Sequence, residues 1–402
     1  MRIRYLPWLL LSGTASFCSS ANLWAETPTF RGVPNSRPAF QVRVAHPTKD
    51  KPQSKLWFAH GSWWAWLPTR DGSSVWRRTE KGWLRQSSLD RALFGLPGQA
   101  DVWAGQDAVR AVLVGEKRLV VAGLKWDLAS NGYVPASSPA QFIMPEDPQA
   151  KGVIETATIA RDGRGCWWIA YPWQRQMCVR VSLDREGTRW SDAHSVNEVP
   201  ASKDDICAIV ELPRGVGLIW SDQEHDAVCF RRHADDAEIG AWDPIEVVDR
   251  GDRTADDHLN AAVARDGTLY VATKNSVDRV GCPQLVLRVR SPQGRWRNYP
   301  YALRTAEWQP SRPIVLLGGD PPRLLLFHSL YRMDRPELLQ SVIGWQISDP
   351  SRLDLSAAAR TLIDAGTHVN NVTGSKARLP LGQPWIVLAS DKEGKVYEAR
   401  ID

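Results

Sequence analysis

The sequence predicts an all-β chain folded as a β-propeller, with seven blades of four strands each. Short apolar strands recur in groups of four at intervals of about fifty residues, with Gly, Asp or Pro at the turns between them. No long stretch carries the 3.6-residue hydrophobic period of a helix. A β-sandwich needs only about 100 residues, whereas this chain has 402. A closed ring of four-stranded sheets accommodates that length and leaves few free strand edges.

Each repeating block contains a short apolar strand, a tight turn, a second apolar strand, a looser third strand and a fourth strand that carries Trp. Segment 55–89 shows all four strands. The block starts again at Asp107, Ile154, Ile206, Leu259 and Pro313. The last block, from Asn370 to Ile401, has room for only three strands, so we expect Phe40 to Val44 to supply the fourth and close the ring. The 20 tryptophans suit packing between blades, with stacking on sugars as the alternative role.

Residues 1–25 have the pattern of a secretory signal peptide. A basic start is followed by the apolar Leu6 to Leu11 and by small residues ending at Ala25. We expect cleavage before Glu26, so that residues 26–402 form a single propeller domain in a secreted or periplasmic protein. The apolar stretch is too short to span a membrane, and no later segment is apolar enough.

The charge of the chain is balanced and evenly distributed. Its 50 basic and 45 acidic residues are interleaved and give a net charge of +5. Without a basic run, the sequence favours neither a nucleic-acid nor a membrane partner.

Of the six cysteines, Cys18 falls in the signal peptide and five remain. Cys166 and Cys178 flank a hairpin that we expect to be centred near Pro172, where a disulfide would be possible. Cys207 and Cys229 should be separated by a whole strand, roughly 9.6 Å in all, which is too far for a disulfide.

The segment 255–275 predicts a hairpin with polar groups at its open end. Asp266 and Gly267 supply a tight turn between two apolar strands. Pairing about this turn places His258 opposite Lys274, beside Asp256 and Asp257.

The same argument applies to the other blades, because a ring brings the starts of all innermost strands and the ends of all second strands to one face. Equivalent pairing predicts four further polar pairs at that face: Asp107 with Lys125, Asp205 with Asp222, Arg312 with His328, and Asn371 with Asp391. These groups would line a concave mouth at the axis of the propeller.

Roles follow from the chemistry of these groups. The candidate catalytic residues are Asp205, Asp222, His258 and Lys274, because a carboxylate pair or an imidazole beside an ammonium group can move protons. The candidate substrate-binding residues are Asp204, Asp257, Arg312, His328 and Asn371. The fork of Arg312 suits a carboxylate on a uronic or sialic acid, with a surface salt bridge as the alternative.

Each of these assignments has a structural alternative. Asp204 and Asp205 would cap a strand entry, and Asp256 or Asp257 would neutralise Lys274. The pair Asp205 and Asp222 would also suit a cation. We assign neither metal nor cofactor, since the chain contains no dinucleotide fingerprint, phosphate loop or nucleophile elbow.

Two segments resemble a known turn motif. Ser182 to Trp190 (SLDREGTRW) resembles the Asp-box of sialidase-like propellers with one inserted residue, and Ser291 to Trp296 is a weaker match. From Lys55 to its end the chain resembles secreted BNR-repeat proteins; the residues that carry this likeness are Asp204-Asp205-Ile206, Trp220-Ser221-Asp222-Gln223 and Ala255-Asp256-Asp257-His258-Leu259-Asn260. The resemblance implies a propeller. It does not imply sialidase chemistry, because the Arg-Ile-Pro motif of sialidases is absent.

The sequence therefore indicates an exported, carbohydrate-directed propeller, either a glycoside hydrolase or a polysaccharide lyase acting on an acidic glycan at the central mouth. Two alternatives remain open. One is a non-catalytic glycan-binding module that uses exposed Trp side chains. The other is a scaffold that binds another protein on its broad face.

Overall fold

The computed structural model describes residues 36–49, 51–144, 153–319, 322–380 and 382–401. These residues form seven antiparallel sheets arranged as the blades of a ring. The predicted seven-bladed β-propeller is confirmed. The predicted signal peptide lies outside the described residues. So do Asp320 and Leu381, the turn positions from which the sequence pairs Arg312 with His328 and Asn371 with Asp391.

The first four blades, numbered in chain order, have regular antiparallel pairing. Blade I contains Leu56–Ala59, Ser62–Thr69, Gly72–Thr79 and Gly82–Arg85. Blade II contains Gln99–Ala104, Ala108–Val114, Arg118–Asp127 and Ala140–Ile143, with the short strand Gly132–Pro135 also paired to its third strand. Blade III contains Thr158–Arg161, Trp167–Trp173, Gln176–Val181 and His194–Ser195. Blade IV contains Cys207–Leu212, Gly215–Asp222, Ala227–Ala234 and Glu246–Arg250.

The remaining three blades follow the same order from the axis outward. Blade V contains Leu259–Val263, Leu269–Lys274, Pro283–Arg290 and Trp296–Leu303. Blade VI contains Trp308–Gly318, Arg323–Arg332, Ser341–Ser348 and Arg360–Ile363. Blade VII contains Asn370–Thr373, Trp385–Ser390, Lys395–Ile401 and, as its outermost strand, Phe40–Gln41.

Helical structure is confined to short turns in the described part of the chain. The α-helix Asp90–Leu93 follows the 3-10 turn Ser87–Leu89, and a second 3-10 turn covers Pro336–Leu338. None of these is long or apolar enough to cross a membrane.

The ring closes as predicted, with a shorter strand than expected. Phe40 pairs with Val396 and Gln41 with Lys395, and regular pairing ends there rather than at Val44. The ring of Phe40 also packs against Trp76 of blade I, with 4.6 Å between ring centroids. Phe40 therefore adds to the contact between the last blade and the first.

Blade II corrects one part of the sequence interpretation. The predicted pair of Asp107 and Lys125 assumes that the turn near Glu116 joins the first and second strands of this blade. The innermost strand is instead Gln99–Ala104, so that turn joins the second and third strands. Asp107 consequently lies at the turn between the first two strands, where its carboxylate is 3.2 Å from His60. The predicted pair of Asp107 and Lys125 therefore lies on the opposite face from the other polar pairs.

The five cysteines within the described residues are unpaired. The hairpin of blade III turns at Gln174 and Arg175 rather than near Pro172, so Cys178 lies opposite Tyr171 and away from Cys166. The disulfide that the sequence allowed between Cys166 and Cys178 is therefore not formed, and both thiols are free. The separation of Cys207 and Cys229 is confirmed, because Trp220 pairs with both and stands between them.

The tryptophans pack mainly between blades. The completely buried members of this group are Trp57, Trp64, Trp66, Trp168 and Trp220. Their rings fill the wedges between splayed sheets, as the composition predicts.

The turn that resembles an Asp-box joins the third and fourth strands of blade III. The Asp184 carboxylate accepts hydrogen bonds from the backbone N–H of Thr188 at 2.8 Å and of Arg189 at 2.9 Å. The Trp190 indole donates to the Gly187 carbonyl at 2.9 Å. The weaker match occupies the same place in blade V, where Ser291 Oγ accepts from the Arg295 N–H at 3.2 Å.

The chain between blades VII and I covers one end of the central channel. We call the face where the innermost strands begin the entry face, and the opposite face the turn face. Residues 46–49 and 51–55, here called the plug, lie on the entry side. Gln53, Ser54 and Lys55 are buried there.

The plug is fastened to blades from several sides of the ring. At its start, Thr48 and Ser390 hydroxyls lie 2.6 Å apart. Farther along, the Pro52 carbonyl accepts from Asn260 Nδ2 of blade V at 2.9 Å. Gln53 Nε2 donates to the Ala157 carbonyl before blade III at 3.0 Å. The open mouth expected on the entry face is thus occupied by the protein's own chain.

Candidate functional site

The hairpin of blade V has the predicted register. Leu259 pairs with Thr273, and the Lys274 N–H donates to the His258 carbonyl at 3.0 Å. His258 and Lys274 therefore lie opposite one another at the entry face. With Asp256, Asp257 and Arg312 they form what we call the His258 cluster.

Hydrogen bonding determines the protonation of His258. Its Nδ1 lies 2.6 Å from Asp256 Oδ1 and 2.5 Å from Asp257 Oδ1, and its Nε2 lies 2.9 Å from Nη1 of Arg312. A guanidinium can only donate, so Nε2 must accept and Nδ1 must carry the proton. This network assigns His258 as a neutral imidazole with its Nε2 lone pair directed at Arg312.

Arg312 is held in a bulge of blade VI. Regular pairing shifts between Ser311 and Ile314, and Arg312 has a φ of 52°. A non-glycine residue in this left-handed region costs about 1–3 kcal/mol, and such strain is concentrated at functional sites. The bulge lets the side chain of Arg312 reach across to blade V.

The guanidinium of Arg312 is bound by uncharged groups. Its Nε donates to the Tyr331 hydroxyl at 2.7 Å, and its Nη1 to His258 Nε2. Among the described residues, no carboxylate forms an ion pair with it. The positive charge of Arg312 is consequently available to an anionic ligand, which disfavours the salt-bridge alternative raised from the sequence.

Tyr331 is placed to work with Arg312. It lies on the second strand of blade VI, which extends past the bulge, and its ring stacks on His368 at a centroid distance of 5.5 Å. Burial raises the pKa of Tyr331, although the Arg312 charge and hydrogen bond partly oppose this. The phenol therefore stays protonated at neutral pH.

The carboxylates of the cluster are neutralised by lysines from two directions. Lys274 Nζ lies 2.6 Å from Asp256 Oδ2, and the plug residue Lys51 donates to Asp257. Burial alone would raise the pKa of Asp257, but the hydrogen bond from His258, together with the charge of Lys51, holds it well below its usual range. Asp257 is thus ionised, and both carboxylates are already engaged by lysines.

The same contacts argue against a metal ion. Asp256, Asp257 and His258 offer ligand atoms within 4.8 Å of one another. However, Lys51 and Lys274 already bind these carboxylates, and two ammonium groups would repel a cation. The cluster fits an anion better than a cation.

Blade IV has the predicted register but different chemistry. Asp205 and Asp222 fall at paired positions, since Cys207 pairs with Trp220. The buried Asp205 carboxylate accepts from the N–H of Ser202 at 2.7 Å and from the N–H of Gln223 at 3.0 Å. Asp222 accepts from His225 Nδ1 at 2.9 Å.

Asp205 thus takes the capping arrangement that the sequence left open as its alternative role. Burial raises the pKa of Asp205, while its hydrogen bonds from Gln223 and Ser202 lower it in part. Its neighbour Asp204 is exposed.

His328 is not at the mouth. Its side chain is completely buried, and its ring lies 5.9 Å from that of Tyr301 between blades V and VI. Neither ring nitrogen has a hydrogen-bond partner in the described structure. Burial lowers the pKa of His328 to about 3, so the ring is neutral. From this position it cannot touch a substrate, which corrects the expectation for His328.

The pair in blade VII lies near the cluster. Asn371 has a φ of 54° and donates its N–H to Asn370 Oδ1 at 2.8 Å. Asp391 is buried and accepts from the N–H of Lys395 at 2.9 Å and from the Tyr397 hydroxyl at 3.0 Å. Asp391 therefore braces its own turn, whereas Asn371 is half-buried at the entry face.

Three members of the site were missing from the sequence-based assignment. The sequence places Asp256 beside His258, but only as a group that would neutralise Lys274, and its acidic run was a signal that could have included it among the site residues. Tyr331 lies beyond the rim, on a strand extension that the expected turn positions did not reveal. Lys51 belongs to the plug, whose path across the ring has no sequence signature.

Comparisons with known proteins agree with the fold. No protein-family model and no curated protein matches the chain. The solved structure of the periplasmic gluconolactonase of Pseudomonas aeruginosa is similar at 16% identity, with a TM-score of 0.50, covering 89% of this chain and 95% of that one.

Two further solved structures match more distantly. An α-L-arabinanase of Penicillium chrysogenum is 12% identical over 82% of this chain and 100% of its own, with a TM-score of 0.46. An α-L-arabinofuranosidase of Fusarium graminearum is 9% identical over 78% of this chain and 98% of its own, also with a TM-score of 0.46. At these identities the similarity concerns the overall fold and transfers no site residue.

Proposed function

We propose that this protein is an exported, carbohydrate-directed propeller that binds an acidic polysaccharide through Arg312 and cleaves it by β-elimination. The observation that carries the proposal is the unneutralised guanidinium of Arg312, held between the His258 imidazole and the Tyr331 phenol. A uronate carboxylate is the sugar group that this planar fork binds best.

Lyase chemistry suits the cluster better than hydrolysis does. A glycosidase needs one protonated carboxyl as a general acid and a second carboxylate close to the scissile bond. Here Asp257 is ionised and bound to His258 and Lys51, while Asp205 is buried and capped. The available proton-transfer groups are instead an imidazole and a phenol.

Each of the three groups has a role in such a reaction. Arg312 neutralises the uronate carboxylate and so acidifies the C5–H bond. His258 Nε2, released from Arg312, accepts the C5 proton, while Asp256 and Asp257 stabilise the resulting imidazolium. The C4–O4 bond breaks as the C4=C5 double bond forms, and Tyr331 donates its proton to the departing O4. Such proton transfers contribute roughly 10²–10⁴ in rate.

The family assignment and the location belong to the same proposal. The Asp184 turn, with its carboxylate on the N–H groups of Thr188 and Arg189, supports the resemblance to sialidase-like, BNR-repeat propellers. Export rests on the pattern of residues 1–25. Intact-mass analysis of the exported protein should give an N-terminus at or near Glu26, and retention of residues 1–25 would refute cleavage.

The decisive experiment is a panel of uronate-containing polysaccharides incubated with the purified protein. Binding is measured by calorimetry, and unsaturated ends are measured by ultraviolet absorbance. Arg312→Ala should bind roughly 10- to 100-fold more weakly, because it loses a charge-assisted contact. His258→Gln and Tyr331→Phe should bind the polymer but produce few unsaturated ends.

Arg335→Ala is the matched control, since Arg335 is an exposed residue of the same blade. Equal binding by the Arg312 and Arg335 variants would place the site elsewhere. Binding that requires Arg312 without any new chain ends would favour the non-catalytic glycan-binding function.

A further inference from the structure

A cavity of about 520 Å³ occupies the central channel beyond the plug. The plug residues Pro52 and Ser54 form its floor, and turn residues such as Pro213 and Arg265 lie at its other end. The cavity is therefore closed toward the entry face and extends toward the turn face. It lies on the other side of the plug from the His258 cluster.

The middle of the cavity wall carries mainly apolar side chains, between charged groups at its two ends. It is built from the innermost strands of blades II to V, and its lining includes Ala160, Ala208, Val210, Leu212, Ala261 and Val263. The charged groups near its floor are already paired. Asp101 accepts from the N–H of Ser54 at 2.8 Å and binds Lys376, whose Nζ also donates to the Ile159 carbonyl at 2.7 Å. An apolar chain fits such a channel better than a sugar does.

The mouth of the cavity on the turn face carries two arginines. Arg265 and Arg378 both line it and both are exposed. Arg378 Nη2 donates to the Val263 carbonyl at 2.9 Å, and neither guanidinium forms an ion pair with a carboxylate among the described residues. Two carboxylates also act on Arg378 from a distance: Asp266, next to Arg265, and Glu211, which accepts from the Trp103 indole at 3.2 Å.

We propose that this cavity is a second ligand site, independent of the His258 cluster, for an anionic amphiphile. A linear alkyl chain lies along the apolar wall, and a carboxylate head binds between Arg265 and Arg378. Volume, apolar lining and charge at one end all match this class of ligand. The site goes beyond the proposed action on glycans and does not depend on it.

The test uses the mature protein and a series of alkyl carboxylates below their micelle-forming concentrations. Decanoate should bind saturably, and roughly tenfold more tightly than octanoate, because two more methylene groups are buried. The double variant Arg265→Ala, Arg378→Ala should weaken decanoate binding roughly tenfold. Decyltrimethylammonium, which has the same chain and the opposite charge, should bind more weakly than decanoate.

Two variants serve as controls. Arg297→Ala removes an exposed arginine from the outer strand of blade V and should leave decanoate binding unchanged. Arg312→Ala should also leave it unchanged, which separates this site from the glycan site. Ala261→Leu narrows the channel mildly and should weaken decanoate binding in a protein that still melts cooperatively.

The proposal is overturned by any of three results: no saturable binding of decanoate, equal affinity for octanoate and decanoate, or equal binding by the double variant and the Arg297 control. Any of these would indicate a solvent-filled channel. Loss of decanoate binding in Arg312→Ala would show that the amphiphile occupies the entry face instead.

Discussion

The entry-face ends of blades IV and V occupy equivalent positions in the ring, yet their polar groups make different contacts. In blade IV, Asp205 and Asp222 hydrogen-bond groups close to them in sequence or on the paired strand. In blade V, His258 reaches Arg312 of the next blade, and Asp257 reaches Lys51 of the plug. The same strand register thus gives two different outcomes. In blade IV the polar groups complete the hydrogen bonds of their own turn, whereas in blade V they form a network that joins blade V, blade VI and the plug.

This difference separates structural from functional polar groups. A cap that is completed by its own turn has no unused hydrogen-bonding capacity for a ligand. The His258 network instead ends in a strained arginine whose charge is not matched, and so it can gain from an added anion. The variants below test this distinction in order of decreasing expected effect.

The largest effect is expected for Asp205→Ala. This change leaves the N–H groups of Ser202 and Gln223 without an acceptor in a buried turn, which should reduce the free energy of unfolding by about 3 kcal/mol. The control is Asp204→Ala, a change at the exposed neighbour of Asp205. This substitution should alter the free energy of unfolding by less than about 0.5 kcal/mol. Urea denaturation measures both.

Ligand binding by the Asp205 variant supplies the other half of this test. Glycan binding per folded molecule should be unchanged in Asp205→Ala, because the carboxylate touches only its own turn. Loss of binding without loss of stability would show that blade IV belongs to the site after all.

The next effect concerns His328, the buried member of the blade VI pair. Its pKa is lowered to about 3 in the folded protein, whereas an unfolded histidine titrates near 6.5. Between these values the unfolded state binds more protons, so stability falls as pH decreases, by up to about 1.4 kcal/mol per pH unit. His328→Phe should therefore flatten the stability profile between about pH 6 and 4.

The phenylalanine also removes two unpartnered nitrogens, so the variant should be at least as stable as the wild type at pH 7. Denaturation midpoints measured across this pH range provide the check. A variant with the same acid sensitivity as the wild type would assign that sensitivity to other groups.

The sequence could predict the scaffold because strand spacing and turn residues are local. The registers of blades IV and V could be predicted because each hairpin has a recognisable turn, at Pro213 and Arg214 in blade IV and at Asp266 and Gly267 in blade V. The predicted strand assignment of blade II was displaced by one strand because two of its turns look alike in sequence. Only the packing of the folded chain decides which of its strands lies innermost. The register alone could not tell that Asp205 caps its turn or that His328 is buried.

The composition of the candidate site could not be predicted in the same way, because it depends on structural features that leave no pattern in the nearby sequence. The bulge at Arg312 redirects its side chain toward His258, and a backbone irregularity of this kind is fixed by the surrounding sheet. Lys51 reaches Asp257 only because the plug crosses the ring, a contact between residues 206 apart in sequence. Long-range contacts of this type decide which polar rim groups can act together.

The smallest expected effect is the acid response of Asp257, and it tests the cross-blade network directly. The pKa of Asp257 is lowered in the folded protein, so its contribution to stability is fully present above the unfolded value of about 3.9 and is lost as pH falls toward the folded value. Asp257→Asn keeps the shape of the side chain but cannot ionise. The stability difference between wild type and variant should therefore be constant above about pH 5 and shrink below about pH 4. Asp204→Asn, which changes an exposed group of blade IV, should show a small difference throughout. If the stability difference for Asp257→Asn grew at low pH instead, His258 and Lys51 would not hold this carboxylate ionised. The proposed contrast between the local contacts of blade IV and the cross-blade network of blade V would then be wrong.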